Sequence, residues 1–250
     1  LQIKKTEQSA GGLYVGTSGW AYASWKPEFY PKAVPAKKFL EHYATRLNSC
    51  EVNYTFLALP SATQLENWLA AVGDSGFRFS FKAPQGITHF KRLKDCGEAL
   101  EAFLSSLEPV RQAGKIGCVL FQLPPNFKMD LEKLRAFLSL PAMKRAGQVA
   151  FEFRNASWFC DEVYAVLREH GVAVCIAESD DLETPESFTA PFSCYRLRMA
   201  GGYAGSAVTA FAERFAALGK EREVYVYFKH EDEPAGPLAA EQMLIEARAL

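Results

Sequence analysis

Five apolar segments of the chain alternate with polar positions and then break off into a charged or amide side chain just before a turn: SCEVNYTF, FRFSFKAP, GCVLFQLPP, VAFEFRNASW and VYVYFKHED. Residues two apart on a strand share a face. In FRFSFK, Phe77, Phe79 and Phe81 take one face and Arg78, Ser80 and Lys82 the other. In VAFEFR, Val149, Phe151 and Phe153 oppose Ala150, Glu152 and Arg154; in VYVYFK, Val224, Val226 and Phe228 oppose Tyr225, Tyr227 and Lys229. The bulky face suits packing under helices. The face that mixes unlike charges must meet a place that pairs or wets them, because an isolated buried charge is very costly.

Helical periodicity fills the intervals. Leu65, Trp68, Leu69 and Val72 follow the i, i+3, i+4, i+7 spacing behind a Ser61/Gln64 capping box. Similar stripes run through Phe39, Leu40, Tyr43 and Leu47, through Leu100, Phe103, Leu104 and Leu107, and through Leu131, Leu134 and Leu138. Val163, Val166 and Leu167, then Phe211, Phe215 and Leu218, continue the series. Strands are predicted near 13–18, 48–53, 77–82, 117–123, 148–154, 172–178, 193–198 and 224–229. Strands alternating with helices call for a parallel sheet with helical crossovers, and eight such units predict a single α/β domain, a (β/α)8 TIM-type barrel over 13–250. The series is irregular around strands six to seven, where about fifteen residues with Pro185 and Pro191 leave room only for a loop or single turn.

Composition narrows the classes. A net charge of −1 gives no global basic field to attract nucleic acid or an anionic membrane. No apolar run reaches the ~18 residues of a spanning helix. The polar start LQIKKTEQSAGG has no apolar h-region and is expected to be a frayed lead-in over 1–12, not a signal peptide. Six cysteines without a CxxC pair, three of them (Cys118, Cys175 and Cys194) inside strand-like runs, fit buried free thiols in a cytoplasmic protein.

In such a barrel the polar face of each strand points into the lumen, and sites form at the C-terminal mouth. The strand ends then converge: Ser18 to Trp20, Glu51 and Asn53, Lys82, Gln122, Glu152 and Arg154, Glu178 and Asp180, Arg196 and Arg198, and Lys229 with His230. The loops beyond add Trp20, Tyr22 and Trp25, then Phe56, then Trp158. Polar groups ringed by aromatics describe a ligand pocket. An internal salt-bridge network without a ligand is the alternative.

GTSGWAYASWKPEFYP, CEVNYTFLALP, FRFSFKAPQGITHFKRL, VLFQLPPNF and FEFRNASWF, in that order across most of 13–160, resemble the YecE-like family, designated domain of unknown function seventy-two. The resemblance implies a TIM-type barrel of mainly bacterial and archaeal origin, with no established reaction. The family's motif residues fall here on Gly19, Trp20 and Trp25; on Glu51, Asn53, Thr55, Phe56 and Pro60; and on Lys82, Thr88 and His89. They continue on Gln122, Leu123, Pro124 and Pro125, then Glu152, Arg154, Ser157 and Trp158. The C-terminal third departs from the pattern: YRLRMAGG keeps Arg196 but puts Met199 at the family's histidine position, and Lys229 and His230 stand where paired asparagines are usual.

Several chemistries can be set against this ring. Glu51 and Glu152 are candidates for an acid/base pair. Lys82 or Lys229 could form a Schiff base, or simply pair a glutamate. No HxH or HExxH spacing supports a metal, so neither metal nor cofactor is expected, and His89 is the histidine best placed for chemistry. Lys82, Arg154, Arg196, Arg198 and Lys229 outnumber Glu51 and Glu152, and helix N-termini add positive potential at the mouth, which favours an anionic ligand unless Glu178, Asp180 and Asp181 on strand six neutralise the surplus.

Three readings stay open. In the first, a barrel enzyme acts on an anionic small molecule carrying phosphate or carboxylate, using Glu51, Lys82 and Glu152 for chemistry. Its binding residues are Trp20, Tyr22, Asn53, Phe56, His89, Gln122, Arg154, Trp158 and Arg196. The second is a nucleic-acid-binding barrel with Trp20, Tyr22 and Trp158 stacking on bases, which the charge does not favour. The third is a ligand-binding scaffold without chemistry. Two expectations follow from strand rise: Glu152 should pair with a cation of a neighbouring strand, Lys82 being the candidate, and Arg154, ~6.6 Å further along, should stand higher and nearer solvent.

Overall fold

A computed structural model describes residues 12–178, 182–229 and 233–250. Its elements run β1 (Leu13–Thr17), α1 (Phe39–Arg46), β2 (Ser49–Val52), α2 (Ala62–Val72), β3 (Arg78–Lys82), α3 (Gly97–Ser106), α4 (Glu108–Gln112), β4 (Ile116–Gln122), α5 (Leu131–Leu138), β5 (Val149–Glu152), α6 (Asp161–Glu169), β6 (Ala173–Glu178), β7 (Phe192–Leu197), α7 (Gly205–Gly219), β8 (Glu223–Phe228) and α8 (Ala235–Arg248). The eight strands pair in parallel in the order β1-β8-β7-β6-β5-β4-β3-β2. This is a (β/α)8 barrel, with every predicted strand in place. Residues 182–191 between β6 and β7 hold no helix.

The alternating pattern fixes which way each strand faces. Phe79, Phe81, Val119, Phe121, Val149, Phe151, Val224 and Val226 join one large apolar cluster with the inner faces of the helices. A second, smaller cluster of Cys118, Leu120, Ala150, Cys175, Cys194, Tyr225 and Tyr227 fills the lumen. Helix starts follow local chemistry: in α2 the Gln64 N–H donates to Ser61 Oγ at 3.2 Å and the Ser61 N–H to Gln64 Oε1 at 3.0 Å, the capping box expected there.

Closure of the barrel uses side chains. Between β1 and β2 the described residues form a single bridge, Ser18 with Glu51, plus the Gly19 N–H to Glu51 O at 2.9 Å. Unpaired strand amides are costly when buried, and here two side chains take them. The Val15 N–H donates to Asn48 Oδ1 at 2.7 Å, and Asn48 Nδ2 donates to Leu13 O at 2.9 Å. The Thr17 N–H donates to the Tyr43 hydroxyl at 2.8 Å, which in turn donates to Ser49 O at 3.0 Å. A Cβ at Gly16 would lie 1.8 Å from Ser49 O, so the two strands approach this closely only because position 16 has none.

Candidate functional site

At the C-terminal end of the lumen three strands deliver one ion cluster. Arg196, on β7 and 2% exposed, donates from one terminal nitrogen to Glu152 Oε2 at 2.5 Å and from the other to Glu51 Oε1 at 2.7 Å. Ser18 Oγ also donates to Glu51 Oε1, at 2.8 Å. Arg154 donates to Glu152 Oε1 at 2.8 Å while its side chain stays 23% exposed. Both oxygens of Glu152 are therefore occupied by guanidinium groups. Burial works to raise its pKa, but Arg196, then Arg154 and Arg198, hold the carboxyl below the usual carboxylate range. For Arg196 burial works against the proton, and Glu152 and Glu51 hold it in place.

This corrects the expected pairing. Glu152 is bonded to Arg196 and Arg154, not to Lys82. Strand rise separates the Cα atoms of residues 152 and 154, but the arginine side chain is long enough to fold back to the level below.

Lys82 instead stands above this layer with its ammonium 4.0 Å from the centre of the Phe56 ring, and no acidic group among the described residues lies within salt-bridge distance of it. Burial, then the Arg196 guanidinium, lower its pKa to about 8, against the opposing pull of Glu51 and Glu152. Arg198, half-buried beside it, forms no ion pair among the described residues, and its pKa too is lowered, by burial and then by Arg196. Arg196 takes one oxygen of each carboxylate and Arg154 the second oxygen of Glu152, and Lys82 and Arg198 add two more cations at the mouth. Gln122, in register with Glu152, and Asn53, just past β2, are half-buried in the same ring. Two buried acceptors there, Glu51 Oε2 and Asn53 Oδ1, meet no donor among the described residues, and neither does the donor Arg196 Nε meet an acceptor.

The loops set the rest. After β3 a π-helical turn, Gly86–Phe90, closed by the Lys91 N–H to Gly86 O at 3.0 Å, carries His89 against Phe56, with ring centres 4.9 Å apart. Thr88 Oγ1 lies 2.9 Å from His89 Nδ1. Burial and then Lys82 lower the His89 pKa, so the imidazole is neutral near pH 7. The next residues, Arg92, Leu93 and Asp95, adopt positive φ of 48°, 67° and 50° without being glycine. Such backbone costs on the order of 1–3 kcal/mol per residue and concentrates at functional loops.

A cavity of about 250 Å³ opens on this side between the ends of β7 and β8 and the start of α8, lined by Leu197, Gly202, Tyr203, Phe228 and Lys229. A larger one, about 770 Å³, lies at the opposite end of the barrel, beside Leu13, Tyr14, Arg78 and Lys220. Its residues come from strand starts, away from the end where barrels of this kind place chemistry, and it holds none of the converging polar ring.

A model of the family described as protein of unknown function DUF72 matches residues 14–249. The chain belongs to the DUF72 family. It is 32% identical to the UPF0759 protein YunF of Bacillus subtilis over 158 residues, 61% of this chain and 54% of that one. It is 34% identical to the UPF0759 protein YecE of Escherichia coli K12 over 149 residues, 59% of this chain and 50% of that one. The chain thus spans about half the length of the curated relatives it matches. A crystal structure of a DUF72 family protein from Thermotoga maritima superposes with a TM-score of 0.77 at 25% identity, covering 93% of this chain and 98% of that one.

The DUF72 motif residues divide into two groups in space. Glu51, Asn53, Phe56, Lys82, His89, Gln122, Glu152 and Arg154 stand at the mouth. Others are struts. Thr55 Oγ1 donates to Lys82 O at 2.6 Å and ties the loop after β2 to the end of β3. Trp25 is buried in an aromatic cluster with Phe29 and Tyr30. Trp158, expected over the mouth, is 0% exposed, stacked on Phe153 with its Nε1–H donating to Phe127 O at 2.7 Å. Phe153 lies on the helix side of β5, and the tryptophan follows it there. Trp20 packs edge-on against Trp68 of α2 and also meets Phe79, and Tyr22 donates to Ser18 O at 3.1 Å with its ring against Trp25. Trp25 and Trp158 are wholly buried and offer no stacking face, while Trp20 and Tyr22 stay half-buried.

Among the departures, Met199 is 40% exposed and Lys229 half-buried, while Asp180, Asp181 and His230 fall outside the described residues. Among the described residues no cluster of His, Cys, Asp and Glu fits a metal ion, and no helix is long and apolar enough to cross a membrane.

Proposed function

We propose that the mouth binds a small anionic molecule and that the protein is an enzyme acting on it, with Lys82 as the amine nearest the chemistry. One observation carries the reading: Lys82 and Arg198 sit half-buried with no counter-ion among the described residues, beside carboxylates already engaged by Arg196 and Arg154. Desolvated like charges repel at several times their strength in water, and a phosphate or carboxylate group between them relieves that repulsion. Arg154, with one terminal nitrogen on Glu152 and a partly exposed edge, supplies a further donor for such a group.

The roles of the carboxylates separate on the same geometry. Glu152 is a fixed counter-ion, held ionised from both sides. Glu51 keeps one oxygen unengaged among the described residues and is the carboxylate available for proton transfer, alongside a Lys82 amine whose pKa of about 8 lets it give up its proton near neutrality. A cytoplasmic setting belongs to this reading and is supported by six cysteines that form no disulfide. The burial of Trp158 and the packing of Trp20 against Trp68 weigh against the nucleic-acid alternative, which calls on both, with Tyr22, as stacking faces.

The test is stabilisation by inorganic phosphate. Phosphate should raise the Tm of the wild type well above the effect of an equal ionic strength of chloride, and do so much less in Arg198→Ala and Lys82→Met. Equal phosphate stabilisation of all three proteins would falsify the reading.

A further inference from the structure

We infer that the anion taken at the mouth also carries hydroxyl groups, as a hydroxy acid, a sugar acid or a sugar phosphate does, and that these hydroxyls donate to Glu51 Oε2 and Asn53 Oδ1. The inference rests on the anion-binding reading above and adds the other half of the ligand.

Glu51 is wholly buried, and Oε1 takes two donors, from Arg196 and Ser18, while Oε2 takes none among the described residues. Asn53, the next polar position along the same segment, leaves Oδ1 buried and unengaged in the same way. A buried acceptor left empty costs on the order of 1–3 kcal/mol, more when it is charged, so two together on one side of the mouth ask for donors from the ligand. The anionic end of the ligand cannot serve, since phosphate and carboxylate oxygens accept. An ammonium group is disfavoured by the surplus positive charge of Lys82, Arg154 and Arg198 around it. A neutral hydroxyl meets both conditions.

The arrangement gives the mouth two poles. Lys82 at the end of β3, with Arg154 and Arg198 just past β5 and β7, holds the charged group, and the acceptors at and just past the end of β2 read the hydroxyls. A ligand with hydroxyls but no charge, or charge but no hydroxyls, would satisfy one pole only.

Succinate and tartrate are suitable probes, being dicarboxylates of one carbon skeleton that differ by two hydroxyls, compared where both are dianions. Calorimetric titration should give tartrate about tenfold tighter binding than succinate, the worth of one good hydrogen bond to a charged group. That preference should fall toward unity in Asn53→Ala and in Glu51→Gln, which keeps an oxygen for Arg196 and Ser18 but turns the second atom into a donor.

If phosphate stabilises the protein and tartrate binds no better than succinate, water fills the acceptors, the inference is overturned, and anion binding stands. If the preference survives in both variants, the hydroxyls are read elsewhere and the assignment fails. If neither dicarboxylate binds and phosphate gives no stabilisation, the anion-binding reading fails first and takes this one with it.

Discussion

The two halves of the lumen are built from the same strands and solve their polarity in opposite ways. In the lower half, Tyr227 donates to Ser80 Oγ at 2.6 Å and lies 2.8 Å from Ser49 Oγ, while Ser80 Oγ also accepts from the Cys118 N–H at 2.9 Å. Tyr14 and Tyr225 stack below, with ring centres 5.0 Å apart, and Cys118, Cys194 and Cys175 lie sulfur to sulfur at 3.7 and 3.5 Å. These groups find their partners within the barrel. Toward the mouth, Glu51 Oε2 and Asn53 Oδ1 meet no donor, and Lys82 and Arg198 no counter-ion, among the described residues. A protein interior tolerates unsatisfied polar groups rarely, so the boundary between the satisfied and unsatisfied halves marks where structure ends and a binding site begins. Arg196 sits on that boundary.

The strongest way to break the comparison is at Arg196. Arg196→Met removes the guanidinium that two buried carboxylates share, and removing one partner of such a network costs on the order of 3–5 kcal/mol. Urea denaturation should show that loss; a loss near zero would mean the ion layer is a wet part of the site rather than its floor.

Glu152→Gln comes next, at about 1–3 kcal/mol. The Glu152 carboxyl is held low in the folded protein, so the stability it contributes is present above the ordinary carboxylate range and drains away as pH falls through and below it. The variant should therefore lose less stability than the wild type between neutral and acid pH. Parallel acid limbs would remove Glu152 from the boundary.

Lys82→Met should go the other way. The Lys82 ammonium is held below its ordinary value, so its charge costs stability wherever the folded amine is protonated. That cost fades as pH rises from about 8 toward 10.5. Screening by the solvent at the open mouth keeps the effect modest. Replacement should stabilise the protein by about 1 kcal/mol at pH 7, with the gap to wild type closing above pH 8, while phosphate stabilisation falls. Destabilisation at pH 7 would place Lys82 among the satisfied groups instead.

The smallest effect is expected in the lower half. Tyr227→Phe removes hydrogen bonds to two serines and should cost about 1 kcal/mol without changing the response to phosphate. A change in that response would couple the two halves and sharpen the boundary into a gradient.

Much of this was legible in the chain. Alternation in FRFSFK, VAFEFR and VYVYFK placed Lys82, Glu152 and Arg154 on the lumen side at one end, because a strand's side chains have no freedom but to alternate. Ser61 and Gln64 announced α2, and Pro185 with Pro191 announced a stretch, 182–191, that holds no helix. Partnership was another matter. Strand rise suggested that Arg154 would stand clear of Glu152, and the arginine folds back to meet it. Trp158 looked like a rim aromatic and is a core residue, since the turn after β5 carries it outward onto Phe153. The left-handed run of Arg92, Leu93 and Asp95 has no glycine to signal it.

By itself the sequence determined the barrel and the direction each strand faces, because these depend on local periodicity. Only the tertiary structure decided that Arg196 reaches Glu51, 145 residues away in the chain, and so which cations are left over. Ion pairing is a contest among side chains long enough to cross the lumen, and its winner depends on how eight separate strand ends are staggered around one axis.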